Sequence, residues 1–332
     1  MAMKVNTLQD VAKLCGVSTS TVSRVLANEP NISLQTRKKV LEIAKKSGFT
    51  PRTRAKHITR SHIKLLIVIP DHNEIQINPF FNTHDIILAI NTVFNNDKKH
   101  IEIATYSEII NNFKSHSADG IIFAFGDIHQ DIEQHFIRAN TPYIFLNRVG
   151  KNNYISCNNI KGMLSIGHYL YNNGYRCIGY LGYEPNPVNN DRLRGYKLAM
   201  DECGMFNKQL IVQVDKITAI DQSIARFFIQ NNCDAIMSFN DTFAARLIIL
   251  FNEFGMIAPR DIAVTGFDHS PAYKNFSPSI TTVSLATFEM AYFAARWLRD
   301  TIIYKESRNM QVEIDGKLVE GKSVTRRGVA ND

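Results

Sequence analysis

Apolar residues recur with a helical period over roughly the first fifty positions and change from residue 64 onward to short continuous runs. In the opening segment Leu8, Val11, Ala12 and Cys15 make one stripe, and Val22, Val25 and Leu26 make a second with i, i+3, i+4 spacing. Ser18 follows Gly16 and Val17 as an N-cap, which predicts two short helices meeting at a glycine-containing turn. A third helix is expected from Ser33, burying Val40, Ile43 and Ala44 and ending on Lys45 and Lys46 before Gly48. The following stretch, FTPRTRAKHITRSH, is basic and too short of apolar residues to pack alone. Thr50 is an N-cap position there and Pro51 a first helical position, so residues 50–62 read as a hinge that is helical only when bound.

The later apolar runs are KLLIVI (64–69), IEIA (101–104), GIIFAF (120–125), YIFL (143–146), CIGYL (177–181), LIVQV (210–214), AIMSF (235–239) and IAVTGF (262–267). Helical patterns lie between them, at 84–95, 160–172, 191–203, 221–230 and 242–254 among others. Strand alternating with helix means parallel sheet covered on both faces. Two such sheets fit better than one of eight or more strands, with residues 152–158 as a crossing. In open parallel sheets ligands bind beyond the carboxyl ends of the strands, so the default site is a cleft between two lobes.

Charge changes the picture for the first helices. The 332-residue chain carries net +7, yet residues 1–60 hold twelve basic residues against Asp10, Glu29 and Glu42, so that segment carries +9 and the other 272 residues −2. The second helix presents Thr19, Ser20, Ser23 and Arg24 away from its apolar stripe: small polar groups and one long cation. A solvated helix face is the ordinary reading of such a stretch. Beside a concentrated positive charge it becomes the pattern of a recognition helix entering the major groove of double-stranded DNA.

Other chemistry is thin. Cys15, Cys157, Cys177, Cys203 and Cys233 form no CxxC pair, and an odd count fits poorly with a disulfide framework. None of the ten histidines makes HExxH, and GxSxG, P-loop and GxGxxG signatures are missing. Neither a catalytic residue nor a cofactor or metal is expected. There is no apolar run of membrane-spanning length and no apolar signal region at the N-terminus, which predicts a cytoplasmic protein without membrane association.

At this point the sequence resembles the lac repressor (LacI/GalR) family of bacterial transcription regulators. The opening motif TLQDVAKLCGVSTSTVSRVLANEPNISLQTRKKVLEIAKKSGFTP is similar to that family's headpiece along its full length. Later motifs agree in order: NPFF (78–81), ADGIIF (118–123), DRLRGY (191–196), FND (239–241), DIAVTGFD (261–268), SITTV (279–283) and KLVEGKSV (317–324). The resemblance implies that Thr19, Ser20 and Arg24 face base edges, that Thr7, Thr21, Asn31 and Ser33 position the headpiece on phosphates, and that Ile58 wedges into the minor groove. The competing readings are helix caps for the threonines and a core-covering role for Ile58.

For a ligand cleft, the resemblance assigns Arg192 to effector hydroxyls, with Asn240 as a polar partner and Asp268 as an acceptor at a strand end. The alternative for Arg192 and Asp268 is a mutual structural ion pair. Phe80 and Phe81 are placed to stack on a sugar's apolar face, one of them alternatively packing into the core. Asn147 and Arg148 follow the YIFL strand where relatives often have an aspartate. Two further departures stand out: only about fifteen residues separate IEIA from GIIFAF, so that helix is trimmed, and no apolar heptads of a tetramerising coiled coil follow the last strand.

The expected fold is therefore an all-α helix-turn-helix headpiece plus an α/β core of two doubly wound parallel-sheet lobes, periplasmic-binding-protein-like. The headpiece covers 1–49 and the hinge 50–62. One lobe takes 63–155 and about 287–311, the other 156–286 and about 312–329. The expected function is repression by a homodimer at a pseudo-palindromic operator, with affinity lowered by a small sugar in the cleft. A nucleobase or nucleoside corepressor is the nearest alternative. From another class come a sugar-processing enzyme or a sugar-binding receptor, both disfavoured by the missing catalytic and signal sequences.

Overall fold

The computed structural model describes residues 7–26, 32–47, 62–71, 83–184, 186–305 and 308–327. The chain divides into two compact units, Met1–Thr59 and Arg60–Asp332. In the first unit, α1 (Leu8–Cys15), α2 (Thr19–Leu26) and α3 (Leu34–Lys46) pack on one another. Their core is Val11, Ala12, Cys15, Val22, Val25 and Val40, the apolar stripes of the sequence brought face to face. Gly16 makes the turn between α1 and α2 at φ +64°, a left-handed conformation open to glycine at little steric cost. The Val17 N–H closes the same turn on Ala12 O at 3.1 Å.

The second unit contains two parallel sheets. The first runs β11 (Gln311–Ile314), β5 (Tyr154–Cys157), β4 (Tyr143–Leu146), β3 (Gly120–Ala124), β1 (Ile63–Ile69) and β2 (Lys99–Thr105) in spatial order. Around it lie α4 (Thr83–Val93), α5 (Tyr106–Asn112), α6 (Gln130–Arg138) and α11 (Thr287–Tyr304). The second sheet runs β7 (Ile211–Val214), β6 (Ile178–Tyr183), β8 (Ala235–Ser238) and β9 (Ala263–Thr265). Its helices are α7 (Asn159–Asn172), α8 (Pro187–Glu202), α9 (Gln222–Gln230) and α10 (Asp241–Glu253), and a short antiparallel pair joins β10 (Thr282–Val283) to β12 (Leu318–Val319). Strands β3, β4 and β8 are buried at every position, which is why they read as unbroken apolar runs.

The chain passes between the sheets three times: from β5 to α7, from β10 to α11, and from β11 to β12. Two of the passages are bonded to the third, through Asn158 N to Ile314 O (2.8 Å) and Ser284 N to Lys317 O (2.9 Å). Residues 154–157 are a strand of the first sheet rather than part of a bare crossing, so the lobe boundaries fall after 157 and 314 instead of 155 and 311. β5 is interrupted by Ser156, and β11 is an exposed edge strand; neither presents an apolar run that stands out by periodicity. The trimmed connection after β2 holds the seven-residue α5 and one turn of 3-10 helix. Among the described residues no helix is long and apolar enough to cross a membrane.

Helices α7 and α8 pack closely through glycines. A Cβ at Gly195 would stand 2.4 Å from Ile160 O and 2.8 Å from Met163 Cβ, and the carbonyl belongs to helix backbone. Gly195→Ala should therefore destabilise the second unit by about 1–3 kcal/mol through overpacking, despite alanine's better helix propensity. Urea unfolding of the variant measures this; unchanged stability would mean that the two helices separate freely.

Candidate functional site

The exposed face of α2 carries Thr19, Ser20, Ser23 and Arg24, while Val22 and Val25 are buried. Ser18 caps the helix, its Oγ accepting from Thr21 N at 3.1 Å and lying 2.8 Å from both Ser20 Oγ and Thr21 Oγ1. Thr7 caps α1 in a reciprocal box with Asp10, and Ser33 caps α3 by accepting from Thr36 N at 3.2 Å. Thr7 and Ser33 thus hold helix starts, each on an exposed site. Asn31, Ile58, Phe80 and Phe81 lie outside the described residues.

In the second unit the polar residues converge on one buried guanidinium. Helix α8 starts with Asn186 as N-cap and Pro187 at its first position, and Arg192 lies on its buried face beside Val188, Asn189, Gly195 and Tyr196. Arg192 Nη2 meets Asp268 Oδ1 at 2.7 Å, with the two side chains 2% and 8% exposed. Nη1 donates to Phe239 O (2.6 Å) and Nε to Asn159 Oδ1 (2.9 Å). The rings of Phe267 and Phe239 lie 3.9 and 4.8 Å from the guanidinium carbon. An isolated charge at this depth would be costly; here it has an opposite charge, two neutral acceptors and two aromatic faces.

The network reaches the other sheet. Asn159 Nδ2 donates to Cys157 O (3.0 Å) and to Asn147 Oδ1 (3.4 Å), which also receives Ser156 Oγ at 3.2 Å. Asn147 follows β4 at φ +57°, and Asp268 stands beyond the carboxyl end of β9 at φ +100°. One series of bonds therefore joins the carboxyl ends of strands in both sheets. Asn240 begins α10 as its N-cap, accepting from Phe243 N at 3.1 Å. Arg148 is engaged elsewhere: it donates to Phe125 O and to Asn147 O (2.8 Å) and pairs with Asp127 at 3.3 Å, bracing the turns after β3 and β4. A cavity of about 500 Å³ at the start of α8 is lined by Glu184, Asn186, Pro187 and Asn190.

Two members of this centre were not singled out by sequence reasoning. Asn159 follows β5, which the apolar pattern did not reveal, so the strand-end rule had no strand to apply to. Asp241 lies inside the FND motif but behind its asparagine. It is 2% exposed and accepts from Thr282 Oγ1 (2.6 Å) and Ser270 N (2.7 Å). A Cβ at Gly266 would stand 2.2 Å from its Oδ1, so the loop leading to Asp268 can approach only as glycine.

The fold and this centre define a class: a helix-turn-helix DNA-binding unit on the same chain as a two-lobed core with polar groups gathered at its strand ends. Comparison with known proteins agrees. Residues 7–52 match the pattern described as bacterial regulatory proteins, lacI family, and residues 168–324 match a periplasmic binding protein-like domain. The chain is 26% identical to the HTH-type transcriptional regulator RegA of Clostridium saccharobutylicum and 28% identical to the HTH-type transcriptional regulator MalR of Clostridium butyricum, each match covering 95% of this chain and 98% of the relative. The solved transcriptional regulator CelR–cellobiose complex superposes with a TM-score of 0.69 at 22% identity, covering 96% of this chain and 99% of that one. The chain is thus similar along nearly its whole length to bacterial transcription regulators, and its first unit carries the pattern of the lacI family.

Burial and the neighbouring Asp268 carboxylate push the Asp241 carboxyl up to about 8, against the bonds from Thr282 and Ser270 and the attraction of Arg192. An unfolded aspartate titrates near 4. Between about pH 4 and 8 the folded chain thus holds a proton that the unfolded chain has lost, and stability falls as pH rises, by about 1.4 kcal/mol per pH unit from this group. Asp241→Asn, neutral and of equal size, should flatten that slope. Urea unfolding of both proteins at pH 5 and pH 8 checks it, and parallel losses in the two would show that another group is responsible.

Proposed function

We propose that the protein represses transcription as a homodimer on a pseudo-palindromic operator, and that a small sugar bound at the Arg192 centre lowers its affinity for that DNA. The observation that carries the effector assignment is the buried Arg192–Asp268 pair between two aromatic rings at the strand ends. A guanidinium supplies donors, a carboxylate supplies acceptors, and the ring faces suit the apolar side of a sugar. In this reading the ion pair and the ligand contact are one device: sugar hydroxyls bond to both partners and replace the closed pair with a bridged one. Asn159 and Asn147 extend the recognition, and Asn240 sets the start of α10 beside it. The cellobiose in the CelR structure supports a carbohydrate over a nucleobase. On the DNA side, Thr19, Ser20 and Arg24 read bases and the other exposed polar groups of the first unit contact phosphates.

Two measurements test the parts separately. Arg24→Ala should cost about 1–3 kcal/mol per half-site on operator DNA and relax the preference at one base pair; equal weakening on operator and random DNA would make Arg24 a phosphate contact. Titrating operator-bound protein with mono- and disaccharides, cellobiose among them, should weaken DNA binding by roughly 5–150-fold with at least one sugar. No response to any sugar, together with tighter binding in the presence of a nucleobase, would replace induction by corepression.

A further inference from the structure

At the opposite end of the first sheet from the Arg192 network lies a cavity of about 600 Å³. Its walls come from the start of β3, the connection from α6 to β4, the segment before β5 and the last two turns of α11. Tyr143 in its lining and Asn147 in the network bracket β4, roughly 13 Å apart at the rise of a strand. No residue of the Arg192 network lines this cavity.

The lining has a defined chemistry. Trp297, the sole tryptophan of the chain, is fixed by its Nε1 donating to Arg308 O at 2.7 Å. Asn140, Asn152 and Asn309 are exposed around it. Asp119 and the carbonyl ends of α6 and α11 supply negative charge, which disfavours an anion, whereas Lys305 opposes a strongly cationic ligand. A neutral ligand with many hydroxyls remains: side-chain amides both donate and accept, as hydroxyls do, and an indole takes the apolar face of a sugar ring. The volume lies within the range of small-molecule sites. Asp119 also brackets Lys64, accepting from its N–H at 3.0 Å and donating its own N–H to Lys64 O at 2.8 Å. The cavity wall is thus fastened to the first strand of the core.

We propose that this cavity is a second small-molecule site, for a neutral mono- or disaccharide, separate from the effector centre at Arg192. The full-length protein, titrated with glucose and with cellobiose, should show a saturable change in Trp297 emission with at least one of them. That change should persist in Asp268→Asn, which alters the effector centre but keeps an acceptor facing Arg192. It should weaken at least tenfold in Asn140→Gly combined with Asn309→Ala, two exposed positions; glycine suits position 140, where φ is +52°. No saturable change with either sugar overturns the proposal. So does a change that vanishes in Asp268→Asn and survives in the double variant, because the signal then originates at the effector centre. Loss of the operator response to sugar in Asp268→Asn, with the emission change intact, shows two independent sites.

Discussion

The organisation of the core depends on burying one guanidinium. Arg192 is among the largest fully buried side chains, and a charge in that position is tolerable only if its donors are met and its field is answered. The groups that meet it come from three places in the chain: the start of α7, the end of β8 and the segment after β9, which supplies both the ring of Phe267 and the carboxylate of Asp268. Each is a strand end or a helix start, so satisfying the charge fixes the loops at which a parallel sheet presents its ligand site. Removing the arginine would leave Asp268 uncompensated beside Asp241, a worse electrostatic state than either the paired or the fully apolar one.

Asp241 shows how the cost of that arrangement is distributed. Two carboxylates share the field of one guanidinium, and burial pushes Asp241 toward its protonated form. Its acceptor bonds nonetheless tie the loop after β9, through Ser270, to Thr282 of β10, which leads into the crossing to α11. Asp241, behind the Arg192 centre, is therefore bonded to the strand that precedes one of the three passages between the sheets.

The first unit works by other physics. Its core is small, among the described residues a cluster of Val11, Ala12, Cys15, Val22, Val25 and Val40 with partly buried Val17, Ile32 and Ile43 around it, and its helices start from hydroxyl caps. Within its short α2, apolar residues hold the helix in place and polar ones face outward. Its concentrated positive charge adds affinity for any phosphate backbone, while selectivity must come from the few side chains that reach bases.

Read alone, the sequence determined the three helices of the headpiece, the charge asymmetry and eight apolar strands, because period and composition report directly on which face of an element is buried. It also pointed to Arg192, Asp268 and the FND segment through motif resemblance. The tertiary structure decided what local pattern does not encode. Strands β5 and β11 pair with each other across the whole intervening second sheet, a long-range pairing that no local pattern encodes, and they moved both lobe boundaries. Asn159 and Asp241 became members of the centre only when the sheet ends were brought together, and Arg148 turned to the carbonyls after β3 and β4. A side chain's type is local, whereas its partner is set by which strand ends meet in space.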